Sequence, residues 1–209
     1  MSAATWTILG LGNFVWDAID IIESRGGVVE RVVLNMEVDA GLVARLPDRV
    51  EVVKIDRFRP SSAHHCFGFT GPAIAGLLAR VEPLGLDFAS AIHATAYVAP
   101  TARVGRGTFV GAGAVLAPFA VLGDFSHVNR HVSLGHDATL GRFGKTGPGA
   151  IVCGLAVVGD RCYLGAGSVV RDRVRICDDV VVGAGAAVVG DLKEPGTYVG
   201  VPVRKAELL

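Results

Sequence analysis

Residues 158–187 read VGDRCY-LGAGSV-VRDRVR-ICDDVV-VGAGAA, five six-residue units that each begin with an aliphatic residue. The same spacing continues without a gap over the whole range from Ile92 to Val188. Of the seventeen positions in this series, sixteen are Ile, Leu or Val, and Thr146 is the exception. A period of six fits neither a single helix nor a flat alternating strand. It predicts a repeat architecture.

Small residues accompany the aliphatic series. The position after each aliphatic residue is mostly Gly, Ala or another small residue, and the fourth position after it is almost always small or Val. These features predict a triangular coil in which one unit forms each side and three units complete a turn, with the aliphatic side chains stacked inside. The pattern resembles the left-handed parallel β-helix of the hexapeptide-repeat acyltransferases.

The first ninety residues show a different pattern. Short apolar runs alternate with a stretch of helical spacing, and a Gly-rich turn follows the first run. The predicted strands are 6–9, 28–34, 50–55 and a short one near 87–89; the predicted helices are 14–24 and 72–80; residues 57–65 are predicted as loop. Strand, turn, helix and strand in this order predict a βαβ unit and a parallel sheet. We therefore expect a Rossmann-like α/β domain at 1–90 and a β-helix domain with a C-terminal tail at 91–209.

Composition excludes two classes of protein. The 209 residues include 20 Lys+Arg and 20 Asp+Glu, and 51% are hydrophobic. A neutral chain lacks the basic face that phosphate-driven nucleic-acid binding needs. Its hydrophobic content is too high and its net charge too low for a disordered chain.

The sequence also bears on location. Residues 1–6 contain no basic targeting region, and the weakly polar run 180–190 is well short of a membrane span. The four cysteines, Cys66, Cys153, Cys162 and Cys177, form no CxxC pair. These features predict a cytoplasmic protein that acts without a membrane.

The best candidate for chemistry is a histidine followed by a carboxylate. His136 is the third residue of its unit, which places it near a corner of the coil, and Asp137 follows it. The residue one coil later in the same column is Gly154, which leaves open space beside the imidazole. A carboxylate can hold the ring of a catalytic histidine in place or raise its basicity. From residue types alone, a surface histidine beside a solvated aspartate explains the pair equally well.

The segment 129–137 and the ending 196–204 make the resemblance more specific. Over nearly its whole length the chain resembles the bacterial nucleotide-sugar N-acetyltransferases that acetylate UDP-4-amino sugars or GDP-perosamine, precursors of surface glycans such as lipopolysaccharide. The resemblance implies a homotrimer that uses acetyl-CoA as co-substrate and a nucleotide-linked amino sugar as acceptor. It also implies that His136 is the general base and Asp137 its partner.

The same resemblance implies residues that contact the acetyl donor. Lys145 stands where the family commonly has a second histidine that contacts the donor region. Arg204 belongs to the closing segment that lies near the CoA adenine in the family. The residues expected along the CoA groove are Gly154, Ala166 and Ala184. An exposed lysine at a corner is an equally good reading of Lys145.

The N-terminal loops depart from the family. Relatives carry a Gly-x-x-Gly-His-Gly loop after the first strand, and this chain has Gly12, Asn13 and Phe14 in that region. Relatives have an acidic pair after the second strand, and this chain has Asn35 and Met36. The resemblance implies that these five residues contact the substrate. Asn13 alone fits a helix N-cap equally well.

Three alternatives remain. An O-acyltransferase would use the same fold and the same histidine. A zinc enzyme of the γ-carbonic anhydrase type uses two histidines at the spacing of His131 and His136, but the position of its third ligand holds Thr95. A trimeric scaffold without catalysis would have no use for His136. We expect no metal site. His64 and His65 are predicted to lie in a loop, either as a solvated pair or, if the loop faces the coil, as part of the sugar pocket.

Overall fold

The structure, a computed structural model, describes residues 3–71 and 73–207. Pro72, where the second helix is predicted to begin, lies outside the described residues. So do Met1, Ser2, Leu208 and Leu209, which the predicted domains include. Within the described ranges, none of the helices has the length and apolar character needed to cross a membrane.

The N-terminal part is built on a four-stranded parallel sheet. Its elements are β1 (Thr5–Leu9), α1 (Val15–Glu23), β2 (Val28–Leu34), α2 (Ala40–Val43), β3 (Glu51–Lys54), β4 (His64–Phe67), α3 (Ala73–Val81) and a 3₁₀ turn (Glu82–Leu84). The strand order is β3-β2-β1-β4. The β1-α1-β2 unit has the parallel pairing that the sequence predicts.

Two local predictions are wrong. Residues 64–65 are not loop, because they begin β4, which pairs with β1. The backbone of His65 and its neighbours finds hydrogen-bond partners in β1, and the ring of His65 is buried. At 87–89 the structure has only an isolated bridge between His65 and Phe88.

The remainder is a left-handed β-helix of short parallel strands. They are β5 (Ala91–Ile92), β6 (Tyr97–Val98), β7 (Arg103–Val104), β8 (Phe109–Val110), β9 (Val115–Leu116), β10 (Val121–Leu122), β11 (His127–Val128), β12 (Ser133–Leu134), β13 (Thr139–Leu140), β14 (Lys145–Thr146), β15 (Ile151–Val152), β16 (Val157–Val158), β17 (Tyr163–Leu164), β18 (Val169–Val170), β19 (Arg175–Ile176), β20 (Val180–Val182) and β21 (Ala187–Val188). An antiparallel pair, β22 (Gly196–Gly200) and β23 (Val203–Lys205), follows.

Every third strand of the coil belongs to the same sheet, which gives the prism three faces. Face I contains β5, β8, β11, β14, β17, β20, β22 and β23; face II contains β6, β9, β12, β15, β18 and β21; face III contains β7, β10, β13, β16 and β19. Strand partners are eighteen residues apart, as in the pairing of Leu134 with Val152. The aliphatic series from Val110 to Val188 is almost fully buried. Each fully buried Val or Leu contributes about 1.5–3 kcal/mol, so the stacked interior accounts for much of the coil's stability.

From Gly107 to Gly185, each corner turns at a residue in the left-handed backbone region. This residue is the fourth of its unit, and it is often not glycine: Phe119, Phe125, His131, Asp137 and Phe143 all have φ between 55° and 63°. The small residues that the sequence shows beside the aliphatic series are needed for a different reason. A Cβ on Gly135 would lie 2.5 Å from the backbone nitrogen of Gly154 in the next coil.

The N-terminal part packs on the coil through aromatic side chains. Phe14 meets Phe109 of face I edge-on, with ring centroids 4.9 Å apart. On the other side of the sheet, Phe125 lies between Phe88 and Phe143, at 5.3 Å and 5.7 Å. The segments that follow β1 and β4 lie close to face I, because Asn13 and Thr70 share a cavity with Lys145 of β14.

Candidate active site

His136 and Asp137 form a hydrogen-bonded pair at the corner between β12 and β13, where face II meets face III. The Nδ1–H of His136 donates to Oδ2 of Asp137 over 2.9 Å. Asp137 has φ of 58°, a region that Asp tolerates better than most residues, and its N–H donates to the carbonyl of Pro118 at 3.1 Å. With the proton on Nδ1, the lone pair of His136 lies on Nε2.

The imidazole of His136 lies directly over Gly154. A Cβ added to Gly154 would be 2.6 Å from Nε2 and 3.0 Å from two ring carbons. The side chain of His136 is 63% exposed in the single chain, so the imidazole is accessible to a substrate. Glycine at this position therefore gives the ring a defined place beside the coil.

An apolar surface borders this corner. The outward residues of face II include Tyr97, Val115, Ile151 and Val169, all of which are exposed. Phe119, which shares the column of Asp137 at the corner, is 59% exposed. Apart from Ser133 on β12, the outward residues of face II from β6 to β18 are thus exposed and apolar, and such patches mark interaction sites.

A second group of candidate functional side chains lies where the N-terminal part meets face I. We call this space, of about 260 Å³, the junction cavity. It is lined by Asn13, Phe14, Asp17, Thr70, His127, Asn129, Lys145, Thr146, Gly147, Pro148 and Tyr163. Lys145 extends along the coil, and its Nζ lies 4.7 Å from the ring centroid of Tyr163. The structure thus brings Lys145 together with Asn13 and Phe14, and places all three away from the corner of His136.

His127 is the buried imidazole of the junction cavity. Its ring is 5% exposed and lies 4.4 Å from the ring of Phe14. Burial, with smaller contributions from the charges of Lys145 and Arg130, lowers the pKa of His127 to about 3. The ring is therefore neutral at physiological pH.

Thr146, the one polar residue of the interior series, holds the backbone beside this cavity. Its hydroxyl accepts the N–H of Asn129 at 3.0 Å and donates to the carbonyl of His127 at 3.3 Å. At this point the β11–β14 ladder pairs only His127 with Lys145. The exception in the repeat therefore coincides with the cavity, and it is the sequence signal that points to this place.

A larger cleft lies at the carboxyl ends of β2 and β3. We call this space, of about 680 Å³, the strand-end cleft. It is lined by Leu34, Asn35, Met36, Glu37, Val38, Ala40, Val43, Ala44, Lys54, Ile55 and Asp56. Parallel α/β sheets bind ligands outside the carboxyl ends of their strands. Asn35 and Met36 are thus in a position that suits binding.

The loop after β1 is tightly packed. A Cβ on Gly12 would lie 3.0 Å from the Cβ of Phe69, and the N–H of Gly12 donates to the carbonyl of Gly68. The helix that follows has Phe14 as its N-cap, without a side-chain capping bond. The alternative reading of Asn13 as the N-cap is therefore wrong, and its exposed side chain lines the junction cavity instead.

The residues expected along the CoA groove lie on two edges of the prism. Gly154 is at the corner between faces II and III, below His136. Ala166 and Ala184 are both exposed and stack one coil apart at the corner between faces I and II, where the N–H of Gly185 donates to the carbonyl of Ala166. Arg204 is exposed on β23. Within one chain these edges are separate.

The two histidines of the zinc alternative lie at opposite ends of β12. His131 is at the corner before this strand and His136 at the corner after it. Among residues 3–71 and 73–207, no three His, Cys, Asp or Glu side chains converge as a metal-binding group.

The repeat and the fold match known proteins. Residues 155–190 match the family model "Bacterial transferase hexapeptide (six repeats)". A GDP-perosamine N-acetyltransferase from Escherichia coli O157:H7 is 32% identical over 92 residues, which are 41% of this chain and 41% of that protein. The chain spans between 27% and 54% of the length of the first curated relatives that it matches.

Solved structures match the chain over its whole length. A perosamine N-acetyltransferase from Caulobacter crescentus, a His-to-Asn mutant in complex with CoA and GDP-perosamine, is 27% identical with a TM-score of 0.84, covering 99% of this chain and 98% of the other. The acetyltransferase domain of PglB from Neisseria gonorrhoeae, with acetyl coenzyme A, shares the fold at 23% identity and a TM-score of 0.86, covering 98% and 100%. Residues 155–190 thus carry the hexapeptide repeat, and over nearly its whole length the chain is similar to a sugar N-acetyltransferase.

Proposed function

We propose that this protein transfers the acetyl group of acetyl-CoA to the amine of a nucleotide-linked amino sugar. The observation that carries the proposal is the His136–Asp137 pair, with Nε2 held over Gly154 at an open corner. The solved relative that binds CoA and GDP-perosamine supports the two substrate classes.

His136 acts as the general base. A neutral amine of the sugar attacks the thioester carbonyl, and Nε2 takes the proton that the nitrogen loses as the C–N bond forms. Asp137, hydrogen-bonded to Nδ1, stabilises the imidazolium. When the C–S bond breaks, the imidazolium returns the proton to the sulfur of CoA, so that His136 ends the cycle neutral.

The strand-end cleft holds the nucleotide, and residues 1–90 act as a Rossmann-like nucleotide-sugar-binding domain. The apolar side chains of Met36, Val43 and Ile55 suit the faces of a base. The carboxylates of Glu37 and Asp56 can accept hydrogen bonds from ribose hydroxyls. The sugar then extends past Asn13 into the junction cavity.

The complete site needs more than one copy of the chain. His136 lies on the prism edge opposite face I, whereas the junction cavity lies on face I. A sugar bound in the cavity of one copy can therefore meet only the His136 of a neighbouring copy. The exposed apolar surface of face II supplies the contact, and we propose a homotrimer in which it is buried.

The same arrangement joins the two edges of the CoA groove. In the trimer, the edge with Gly154 of one copy faces the edge with Ala166 and Ala184 of the next. The pantetheine arm lies between them, and Arg204 of β23 is free to meet the phosphates or the adenine. Acetyl-CoA is a substrate in this scheme and leaves as CoA.

Release of the CoA thiol from acetyl-CoA tests the proposal. We expect release with one member of a panel of UDP-, GDP- and dTDP-linked amino sugars, at a kcat of about 1–10³ s⁻¹. The matching sugars with a hydroxyl in place of the amine should release none. Release with the hydroxyl sugars instead would point to O-acylation, and no release with any sugar would contradict the proposal.

Gly154→Ala should weaken catalysis without disturbing the fold. The new methyl would lie 2.6 Å from Nε2 of His136, so the ring must swing away. A displacement of about 1 Å at the reacting centre can lower the rate about 100-fold, and we expect kcat to fall by 10- to 100-fold on this ground. Gly190→Ala is the matched control, since a Cβ there would have no atom of the described part of the chain within 4 Å. Equal kcat values for the two variants would show that the ring position over Gly154 is irrelevant.

A further inference from the structure

The imidazole of His127 is polar where packing alone favours an apolar ring. It lies between Phe14 and Phe109, with ring centroids at 4.4 Å and 6.5 Å. Its Nδ1 is buried and has no hydrogen-bond partner among the described residues. Leaving a buried polar atom unpaired destabilises a protein, and such groups in native proteins need a reason. A phenyl ring would fill the same space without this penalty.

The surroundings of His127 indicate what the ring is for. His127 lines the junction cavity and also a smaller pocket of about 90 Å³ that shares Asn129 with it. Because Nδ1 is buried, Nε2 is the ring nitrogen left to bond a molecule in the junction cavity. Since the ring is neutral, Nε2 offers one hydrogen bond without adding charge to the cavity. The side chain of its strand neighbour Lys145 is directed to Tyr163 and does not occupy this place.

The remaining cavity groups share one chemistry. Asn13 and Asn129 offer amides, Thr70 and Tyr163 offer hydroxyls, and the rings of Phe14 and Tyr163 offer flat apolar faces. Amides and hydroxyls beside aromatic faces suit a molecule with several hydroxyl groups on a compact ring. Asp17, the one carboxylate of the cavity lining, is paired with Arg130 at 3.2 Å.

We propose that His127 determines acceptor specificity by hydrogen-bonding, through Nε2, a ring hydroxyl of the sugar that occupies the junction cavity. The identification of the occupant as the acceptor sugar rests on the proposed function. The hydrogen bond itself rests on the burial and the unpaired Nδ1 of His127. The ring is retained against its cost in stability because it recognises the sugar.

His127→Phe tests this with two measurements: the variant should bind the acceptor more weakly, and its fold should be more stable. We expect the KM for the acceptor to rise by about 10- to 100-fold, because a hydroxyl of the sugar loses its partner in a desolvated place. The KM for acetyl-CoA and kcat at saturating acceptor should stay within about twofold. The melting temperature should rise by about 2–4 °C, because the sealed nitrogen is removed. A purely structural imidazole would leave the KM for the acceptor unchanged, and that result overturns the inference.

His65→Phe is the matched control. His65 is also buried, and its Nε2 has no hydrogen-bond partner among residues 3–71 and 73–207. It lies between Phe58 and Phe88 and lines neither cavity. The His65→Phe variant should have the wild-type KM for the acceptor. If the wild type acetylates no sugar, the inference is tested instead by the shift in melting temperature that each of the same sugars causes. A shift in the wild type that is absent in His127→Phe supports the inference although the proposed reaction fails. Equal shifts in both proteins, or none in either, overturn it.

Discussion

Replacement of His136 by alanine is expected to lower kcat by about 10²- to 10⁴-fold, the usual contribution of a general base. The melting temperature should not change, because the imidazole is largely exposed and its one hydrogen bond is to the adjacent Asp137. The KM values for both substrates should change little, since the lost interaction is made in the transition state. Steady-state CoA release with the active amino sugar measures all three quantities.

The chain offers a matched control for this variant. His64 also donates from Nδ1 to a carboxylate, that of Asp87 at 2.7 Å, and it is also partly exposed. It lies on β4 and lines neither of the two cavities. His64→Ala should therefore retain the wild-type kcat. A general loss of activity in both variants would indicate damage that is unrelated to proton transfer, and retention of more than about a tenth of kcat by His136→Ala would contradict its role as the base.

Asp137→Asn distinguishes the role of the carboxylate charge from the role of residue 137 in the backbone turn. Asparagine tolerates the left-handed backbone that Asp137 adopts at φ 58°, so the corner should persist. The variant loses the negative charge that stabilises the imidazolium, and we expect kcat to fall by about 10-fold. A variant as inactive as His136→Ala would mean that Asp137 does more than orient and stabilise the ring.

The repeat could be predicted from the sequence because the interior side chains are aliphatic and recur at every sixth position. A coil whose interior must be filled at every sixth residue leaves little freedom in where strands lie, and β12 and β15 pair at eighteen residues as expected. The His136 corner could be predicted for the same reason. The column of the coil identifies Gly154 as the neighbour of His136 before any coordinate is known.

The junction cavity could not be predicted in this way. The residue before each interior position points outward on all three faces, and the period does not say which face another part of the chain will cover. Phe109 and His127 are buried by the N-terminal part, whereas Val115 and Ile151 at the equivalent position of face II are exposed. His127 and Tyr163 were missed on this account. The sequence shows Thr146 as the one break in the aliphatic series, but it does not show that this residue lines a cavity.

A charged residue introduced on face II should both dissociate the trimer and abolish activity. Ile151 on β15 is 40% exposed on face II, and its partners on the neighbouring strands are Ser133 and Val169. Ile151→Glu would bury three carboxylates in a trimer, and burial of unpaired charges is strongly unfavourable. We expect a monomer in sedimentation or light scattering and a fall in kcat of at least about 10²-fold, because positioning by a neighbouring copy is lost.

Val157→Lys is the matched control for this variant. Val157 occupies the equivalent position on β16 of face III, where its strand partners are Thr139 and Arg175. A further cation there should leave both the trimer and kcat unchanged, because face III already presents charge. The decisive comparison is between assembly and turnover in Ile151→Glu. A monomer with the wild-type kcat would place His136 and its acceptor in one chain, contrary to their positions on opposite sides of the prism, and a wild type that is itself monomeric would contradict the shared site directly.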